Sequence, residues 1–239
     1  MKKLIIYIPS IEGGGVEKNL YYISNYLSKK NIDIYIVTAN TNHKKFFNNK
    51  IKYICPDSLK WNNSSRFIKT LICLALIIKK LPLKNISILS FQSNVSAIIL
   101  SKLFNLKIII RLNTSTDKYI KNLIKKFIFK IIYSMSDIII VNSLEFKRNL
   151  HKVLKINSIQ IFNSIKYKDF NKKLRIDYFK NFSGIKILSI GRLTDQKDQI
   201  TILKCLNILK NKEINFRFYL IGEGYKLNML KQYVKDQKL

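Results

Sequence analysis

Histidine, cysteine, proline, glycine and acidic side chains are all scarce in this chain of 239 residues, and each scarcity narrows what the chain can be. The 2 histidines, His43 and His151, are isolated, which argues against a histidine-rich metal site. The 3 cysteines, Cys55, Cys73 and Cys205, lie far apart without the spacing of metal ligands. They read as reduced, buried small residues of a cytosolic chain. The longest apolar run without a charge, LICLALII at Leu71–Ile78, falls far below the ~20 residues that cross a bilayer, so no transmembrane helix is expected. The opening MKKLIIYIPS carries a signal-like charge, but its apolar stretch is short and no small-residue cleavage site follows. It reads as a first strand. Asp and Glu number 14 against 44 Lys and Arg, for a net charge of +30. Two origins stay open for that excess. One is a coding bias that fills the chain with Lys, Ile and Asn. The other is attraction to polyanions such as a phospholipid surface, phosphorylated substrates or nucleic acid. Glycine is rare enough, at 7 residues, that the run Gly13-Gly14-Gly15 is a local choice rather than an accident of composition.

A hydrophobic content of 47% is that of an ordinary globular protein, and the length suffices for one large or two small domains. Strand and helix patterns alternate from the start. Leu4–Ile8, Ile34–Thr38, Ile51–Cys55, Ile86–Phe91, Lys107–Arg111, Asp137–Asn142 and Ser158–Phe162 are short, apolar and β-branched, as strands are. Between them Val16–Lys30, Arg66–Leu81, Val95–Phe104, Lys118–Ser134 and Leu144–Leu150 predict helices. Such alternation predicts a parallel sheet covered on both faces, with ligands at the carboxyl ends of its strands. Residues 1–165 form the expected first Rossmann-like domain, and 166–184 a charged linker. The pattern restarts over residues 185–239, with strands Ile185–Ile190 and Phe216–Ile221 and helices Gln199–Lys210 and Leu227–Lys235. Two parallel strands cannot bury both faces of a sheet by themselves, so this second domain reads as only begun.

Two segments can bind anions. The glycine run joins a strand to a helix, where backbone N–H groups can approach a phosphate. It is not a P-loop, because no Gly-Lys-Ser/Thr ends it, and Lys18 stands where a dinucleotide fingerprint needs its third glycine. A tight turn requiring positive φ explains the run equally well. In LSIGRLTDQKDQITIL, Leu188–Leu203, Arg192 and Lys197 follow a strand end, and two cations there can clamp a diphosphate. Two solvated loop charges are the plain alternative.

Taken together and in order, the segments resemble the family 4 glycosyltransferases, retaining enzymes of the GT-B fold. GGGVEKNL is similar to that family's Gly-Gly-x-Glu loop, and SDIIIVNSLEFKRNL, Ser136–Leu150, to its strand ahead of a short helix. IQIFNSI, Ile159–Ile165, resembles the interdomain strand. ILSIGRLTDQKD matches the G-R-L-x-x-x-K donor segment, and FRFYLIGEGYKLNML the strand with its Gly-x-Gly turn. The resemblance implies a GT-B type α/β fold, with the acceptor on the first domain and the nucleotide sugar on the second. It implies that Arg192 and Lys197 grip the donor diphosphate, with the backbone at Gly14 and Gly15 approaching the same phosphates or the acceptor. It also implies that the loop Gly222-Glu223-Gly224 lies on the donor nucleotide's side. Glu17, Arg111 and Asn113 are implied acceptor or sugar contacts, although Arg111 could equally close a strand with a surface charge. No metal or other cofactor is implied, since the cations neutralise the leaving diphosphate. No side chain is assigned as catalytic.

Two departures stand out. Many relatives carry a His where this chain has RLNTSTD, Arg111–Asp117, and the family's Glu-x7-Glu motif is not found before Leu239. The chain therefore reads as C-terminally truncated, with impaired transfer on its own. The implied function is sugar transfer from a nucleoside-diphosphate donor to a glycan or lipid-linked acceptor in bacterial surface polysaccharide or lipopolysaccharide synthesis. A UDP-linked hexose or N-acetylhexosamine fits. Lys118, Lys121, Lys125, Lys126 and Lys130, set among Ile, Leu and Phe of Asp117–Asp137, suit a helix lying on anionic lipid at the cytoplasmic face of the plasma membrane. A covering helix with lysines in water is the plain alternative. Two other function classes remain: a split-enzyme or non-catalytic subunit needing a partner chain, and a basic nucleic-acid binder, which lacks a reading motif or stacking ladder.

Overall fold

The computed structural model describes residues 2–116, 120, 122–164 and 178–239. The chain divides into two compact units, Met1–Lys166 and Tyr167–Leu239. In the first unit seven strands pair in parallel: β1 Lys2–Tyr7, β2 Ile32–Val37, β3 Lys52–Ile54, β4 Ile86–Ser90, β5 Lys107–Leu112, β6 Ile138–Val141 and β7 Ile159–Gln160. Their spatial order is β3-β2-β1-β4-β5-β6-β7. The chain winds outward from β1 in one direction, then returns and winds outward from β4 in the other.

Among the described residues five α-helices connect them: α1 Gly15–Leu27, α2 Arg66–Lys80, α3 Asn94–Leu103, α4 Leu123–Ser134 and α5 Leu144–Leu154. Successive residues of β1 feed opposite cores. Ile5 and Tyr7 join Val37, Ile88, Ile108 and Ile110 on the face that α2 and α3 cover, and Ile6 joins Ile34, Ile36 and Leu20 on the face of α1. Both faces are therefore apolar, which explains the unbroken Ile and Leu runs. Side-chain oxygens start three of the helices. Ser65 accepts from the Ile68 N–H, Asn122 from Lys125 and Ser143 from Phe146.

The differences from the sequence reading are at boundaries. α5 runs to Leu154 instead of Leu150, because Leu150 and Leu154 share its buried face and Lys155 ends it in the left-handed region. α1 ends at Leu27. The first residues of the helix expected from Lys118 and most of the expected linker lie outside the described residues. The cysteines are free, but only Cys73 is buried. Cys55 is half-buried, and Cys205 is exposed because it lies off the inward-packing face of its helix, Gln199–Asn211. No helix among the described residues is long and apolar enough to cross a membrane.

In the second unit β8 Ile185–Ile190 and β9 Phe216–Ile221 pair in parallel, with α6 Gln199–Asn211 and α7 Leu227–Asp236 beside them. Ile187, Phe216, Phe218 and Leu220 pack on Leu203, Leu206 and Leu230. Leu188, Ile190 and Ile221, on the other face, are exposed. The central position of β4 gives the first test. Ile88→Ala, at a fully buried site, should lower the stability of the N-terminal unit by about 2–5 kcal/mol in urea unfolding. A change under about 0.5 kcal/mol contradicts this packing.

Candidate functional site

The winding reverses between β1 and β4, and the carboxyl ends of these strands flank the crevice where sheets of this type hold ligands. Buried polar side chains gather around it: Ser10, Asn40, Lys69, Ser90 and Arg111. Burying such groups is costly unless they are hydrogen-bonded, so each must be placed by a partner. The Ser10 N–H donates to Gln92 Oε1 at 3.2 Å, and the Ile11 N–H to Asn40 Oδ1 at 3.0 Å. Ser90 Oγ donates to Asn94 Oδ1 at 2.7 Å, whose Nδ2 donates to the Arg111 carbonyl at 3.1 Å. Asn113 Nδ2 donates to the Phe91 carbonyl at 2.8 Å.

The glycine run sits on this rim. Gly13 has φ +78°, a conformation that side chains with Cβ rarely adopt. Gly14 precedes α1, and the Glu17 carboxylate accepts its N–H at 2.8 Å and that of Glu12 at 3.3 Å. Glu17, only 4% exposed, thus shapes the loop from within, where a carboxylate also suits the helix N-terminus. Asn19 Nδ2 donates to the Gly15 carbonyl at 3.0 Å, and its Oδ1 accepts the Ser164 N–H at 2.7 Å.

Arg111 is 1% exposed, so it is not a surface charge. Its Nη2 donates to Asn163 Oδ1 at 2.9 Å and to the Ile161 carbonyl at 3.3 Å, and its guanidinium lies 5.9 Å from the centre of the Phe91 ring. Nε has no partner among the described residues, and burial pulls the group below its ordinary pKa. No described carboxylate pairs with it. Through Asn163, Ser164 and Asn19, the Arg111 side chain is linked to the glycine loop.

Sequence reasoning missed Lys69. It is 6% exposed, and its ammonium donates to Ser10 Oγ at 3.2 Å. Ser10 Oγ in turn lies 3.4 Å from Glu12 Oε1, which pairs with Arg66 at 2.7 Å. The signal was available: Lys69 falls on the α2 stripe of Thr70, Cys73 and Ile77, where the helical period calls for apolar residues. Asn19, inward-facing on α1, was legible in the same way.

In the second unit the loops after β8 and β9 press together. The Gly191 N–H donates to the Ile221 carbonyl at 2.9 Å and the Leu193 N–H to that of Glu223 at 2.8 Å. A Cβ at Gly222 would lie 1.8 Å from the Gly191 oxygen, so only glycine allows this approach. Arg192 opens the loop, its carbonyl accepting from Gln199 Nε2 at 2.8 Å. Lys197 closes it, with its stem folded over Gly191, where an added Cβ would be 3.7 Å away. Asp195, between them, is held by Lys226 and Tyr225. Those bonds, Lys226 first, keep the Asp195 carboxyl below the usual carboxylate range. The tie therefore adds stability above the ordinary carboxylate pKa and fades as pH falls through the lowered value. Gly224 and Glu223 complete the rim with backbone groups. Among the described residues no cluster of three or more His, Cys, Asp or Glu could hold a metal ion.

A family model described as Glycosyltransferase Family 4 matches residues 13–162. A Campylobacter jejuni protein, N-acetylgalactosamine-N,N'-diacetylbacillosaminyl-diphospho-undecaprenol 4-alpha-N-acetylgalactosaminyltransferase, is 27% identical over 265 residues, a match covering 100% of this chain and 67% of that protein. Among solved structures, Anabaena Alr3699/HepE in complex with UDP-glucose superposes with a TM-score of 0.71 at 13% identity, covering 100% of this chain and 67% of that one. A mutant of S. aureus TarM bound to UDP, fondaparinux and alpha-GlcNAc-glycerol gives 0.68 at 10% identity, covering 100% and 76%. At these identities the likeness to the solved structures is one of fold.

Glu17→Ala should cost the N-terminal unit about 1–3 kcal/mol in denaturant unfolding, since it leaves the Gly14 and Glu12 N–H groups without their acceptor. A stability loss smaller than that of an exposed substitution such as Lys30→Ala contradicts the role of Glu17 in shaping the loop.

Proposed function

The chain belongs to Glycosyltransferase Family 4, and from that premise we propose that it transfers a hexose-type sugar from a nucleoside-diphosphate donor to a lipid-linked glycan acceptor, with retention at the anomeric carbon. The family match over residues 13–162 carries this reading. The solved relatives described above include complexes with UDP-glucose and UDP, which supports a nucleotide sugar as donor. The acceptor class is supported by the C. jejuni relative, whose name describes a diphospho-undecaprenol substrate. The product belongs to bacterial surface polysaccharide or lipopolysaccharide synthesis.

In this reading Arg192 and Lys197 hold the donor diphosphate, the first by its planar fork and the second as a compact charge. Gly222, Glu223 and Gly224 line the nucleotide's side of the same rim. As the glycosidic bond to phosphate breaks, the two cations take up the charge on the leaving diphosphate, and no metal is needed for that step. A phosphate oxygen of the donor accepts the proton of the attacking hydroxyl on the same face of the sugar. In the N-terminal unit the backbone at Gly14 and Gly15 approaches an anion, with Gly15 offering its N–H while Glu17 accepts that of Gly14 and holds the loop in position. Asn113 and Arg111 stand at the end of β5 as acceptor or sugar contacts, the latter a buried cation with spare donors.

The enzyme works at an anionic membrane surface in this account, docked through α4. Leu123 and Phe127 are 81% and 66% exposed, and Ile124, Ile128 and Ile131 are exposed beside them. Lys125, Lys126 and Lys130 are interleaved with these apolar side chains. Such a helix gains from apolar burial in lipid and from attraction to acidic headgroups. Co-sedimentation with phosphatidylglycerol vesicles, compared with phosphatidylcholine, tests the docking. Binding that is equal in both, or unaffected by Phe127→Ser with Leu123→Ser, rules it out.

Donor binding is tested separately, by calorimetric titration with UDP. Arg192→Ala and Lys197→Ala should each weaken UDP binding roughly 10- to 100-fold, as expected for loss of a charge-assisted hydrogen bond. Unchanged affinity in both variants rejects the assignment.

A further inference from the structure

α5 has a second face that lies outside the residues proposed for sugar transfer. Phe146, Leu150, Val153 and Leu154 pack it onto the sheet. Lys147, Arg148, His151, Lys152 and Lys155 form a stripe on another side, lining an open groove of about 580 Å³ that ends at Ser158, just before β7. Leu144 and Ile156 supply its apolar wall.

The stripe needs a reason. Residues three and four apart on a helix are neighbours, so Lys147, Arg148, Lys152 and Lys155 place four formal positive charges along one side of a short helix. Like charges at that spacing repel. The single acid of α5, Glu145, lies in the first turn and does not line the groove. Cations in the last turn are favoured by the helix dipole, which accounts for Lys152. It does not account for Lys147 and Arg148 in the first half. A second observation points the same way. Ser158 Oγ is enclosed beside the end of the groove without a hydrogen-bond partner among the described residues. A buried hydroxyl left unpaired is costly, and turning its side chain into the groove would let a ligand oxygen satisfy it.

We propose that this groove binds a phosphate-bearing anion of diphosphate size, as a site separate from the sugar-transfer machinery. Arg148 offers a planar pair of donors and the three lysines supply neutralising charge. Ser158 donates from the end of the groove once its side chain turns toward the ligand. Leu144 and Ile156 face the organic part of the ligand. A lipid headgroup and a free phosphate ester share this chemistry.

Pyrophosphate is the probe. The chain has only two histidines, so the ring signals of His151 are separable from those of His43 in NMR spectra of the full chain. Pyrophosphate should shift the His151 signals saturably while His43 stays still. Replacing Lys147, Arg148, Lys152 and Lys155 with Gln should weaken that response at least about tenfold, the worth of one charge-assisted hydrogen bond. Removing four charges elsewhere, at the exposed Lys29, Lys30, Lys50 and Lys60, should change it no more than about twofold, as expected of distant surface charges. The Arg192→Ala, Lys197→Ala double variant should also leave it intact, so this site and the donor site fail separately. Equal weakening by the two sets of four replacements overturns the proposal, as does an immobile His151. A His151 response to phosphatidylglycerol vesicles that the four Gln replacements abolish, and that Phe127→Ser with Leu123→Ser leaves in place, identifies a lipid headgroup as the source. A response to pyrophosphate alone identifies a free phosphate ester, and both support phosphate recognition.

Discussion

A parallel strand covered on both faces cannot carry polar side chains along its length without leaving them unsatisfied. Ile5, Ile6, Ile34, Ile36, Ile88, Ile108 and Ile110 are buried in the two cores for that reason. Polar chemistry is pushed to the strand ends, and at the carboxyl ends it collects where the winding reverses between β1 and β4. Ser10, Gln92, Asn94, Asn113 and the glycine run meet there because the topology leaves them nowhere else to go.

The electrostatics of that rim are unusual. Arg111 and Lys69 are both buried cations, and the described hydrogen bonds of their side chains go to neutral oxygens: Asn163 and Ile161 for one, Ser10 for the other. A buried cation normally has a carboxylate beside it, because desolvation is otherwise uncompensated. Glu12 is one link further out, shared with Arg66, and Glu17 is committed to the glycine loop. The rim of the N-terminal unit thus keeps positive charge in reserve, which suits a ligand bearing phosphate. The C-terminal unit reaches a similar end by other means: its loops are locked by backbone contacts at Gly222 and by the Asp195–Lys226 pair, leaving Arg192 and Lys197 to frame the loop.

Much of this was legible in the residues. Strand positions follow from apolar runs, and the restart at Ile185 marks the second sheet. The ordered resemblance of five segments named the family that the match over residues 13–162 supports. Boundaries moved where tertiary packing outweighed local pattern, as when Leu154 carried α5 a full turn past Leu150. The site was only half legible. Arg111 announced itself as a charge in an isoleucine strand, but whether it faced water or the core depended on Phe91, Asn163 and Ile161, which are distant in sequence. The inward turn of Glu17 depended on the backbone path of Gly13 and Gly14. Lys69 was overlooked because a lysine in a basic helix looks unremarkable until its neighbours on the same face prove to be core residues.

If the loops at the carboxyl ends of the strands hold the ligand, their backbone amides should be shielded when it binds. Hydrogen–deuterium exchange with and without UDP measures this. Slower exchange on adding UDP is expected at Gly191–Lys197 and Gly222–Gly224, with the β8 and β9 interiors unchanged. Protection confined to the helices, or none in either loop at saturating UDP, would show that ligand is held elsewhere.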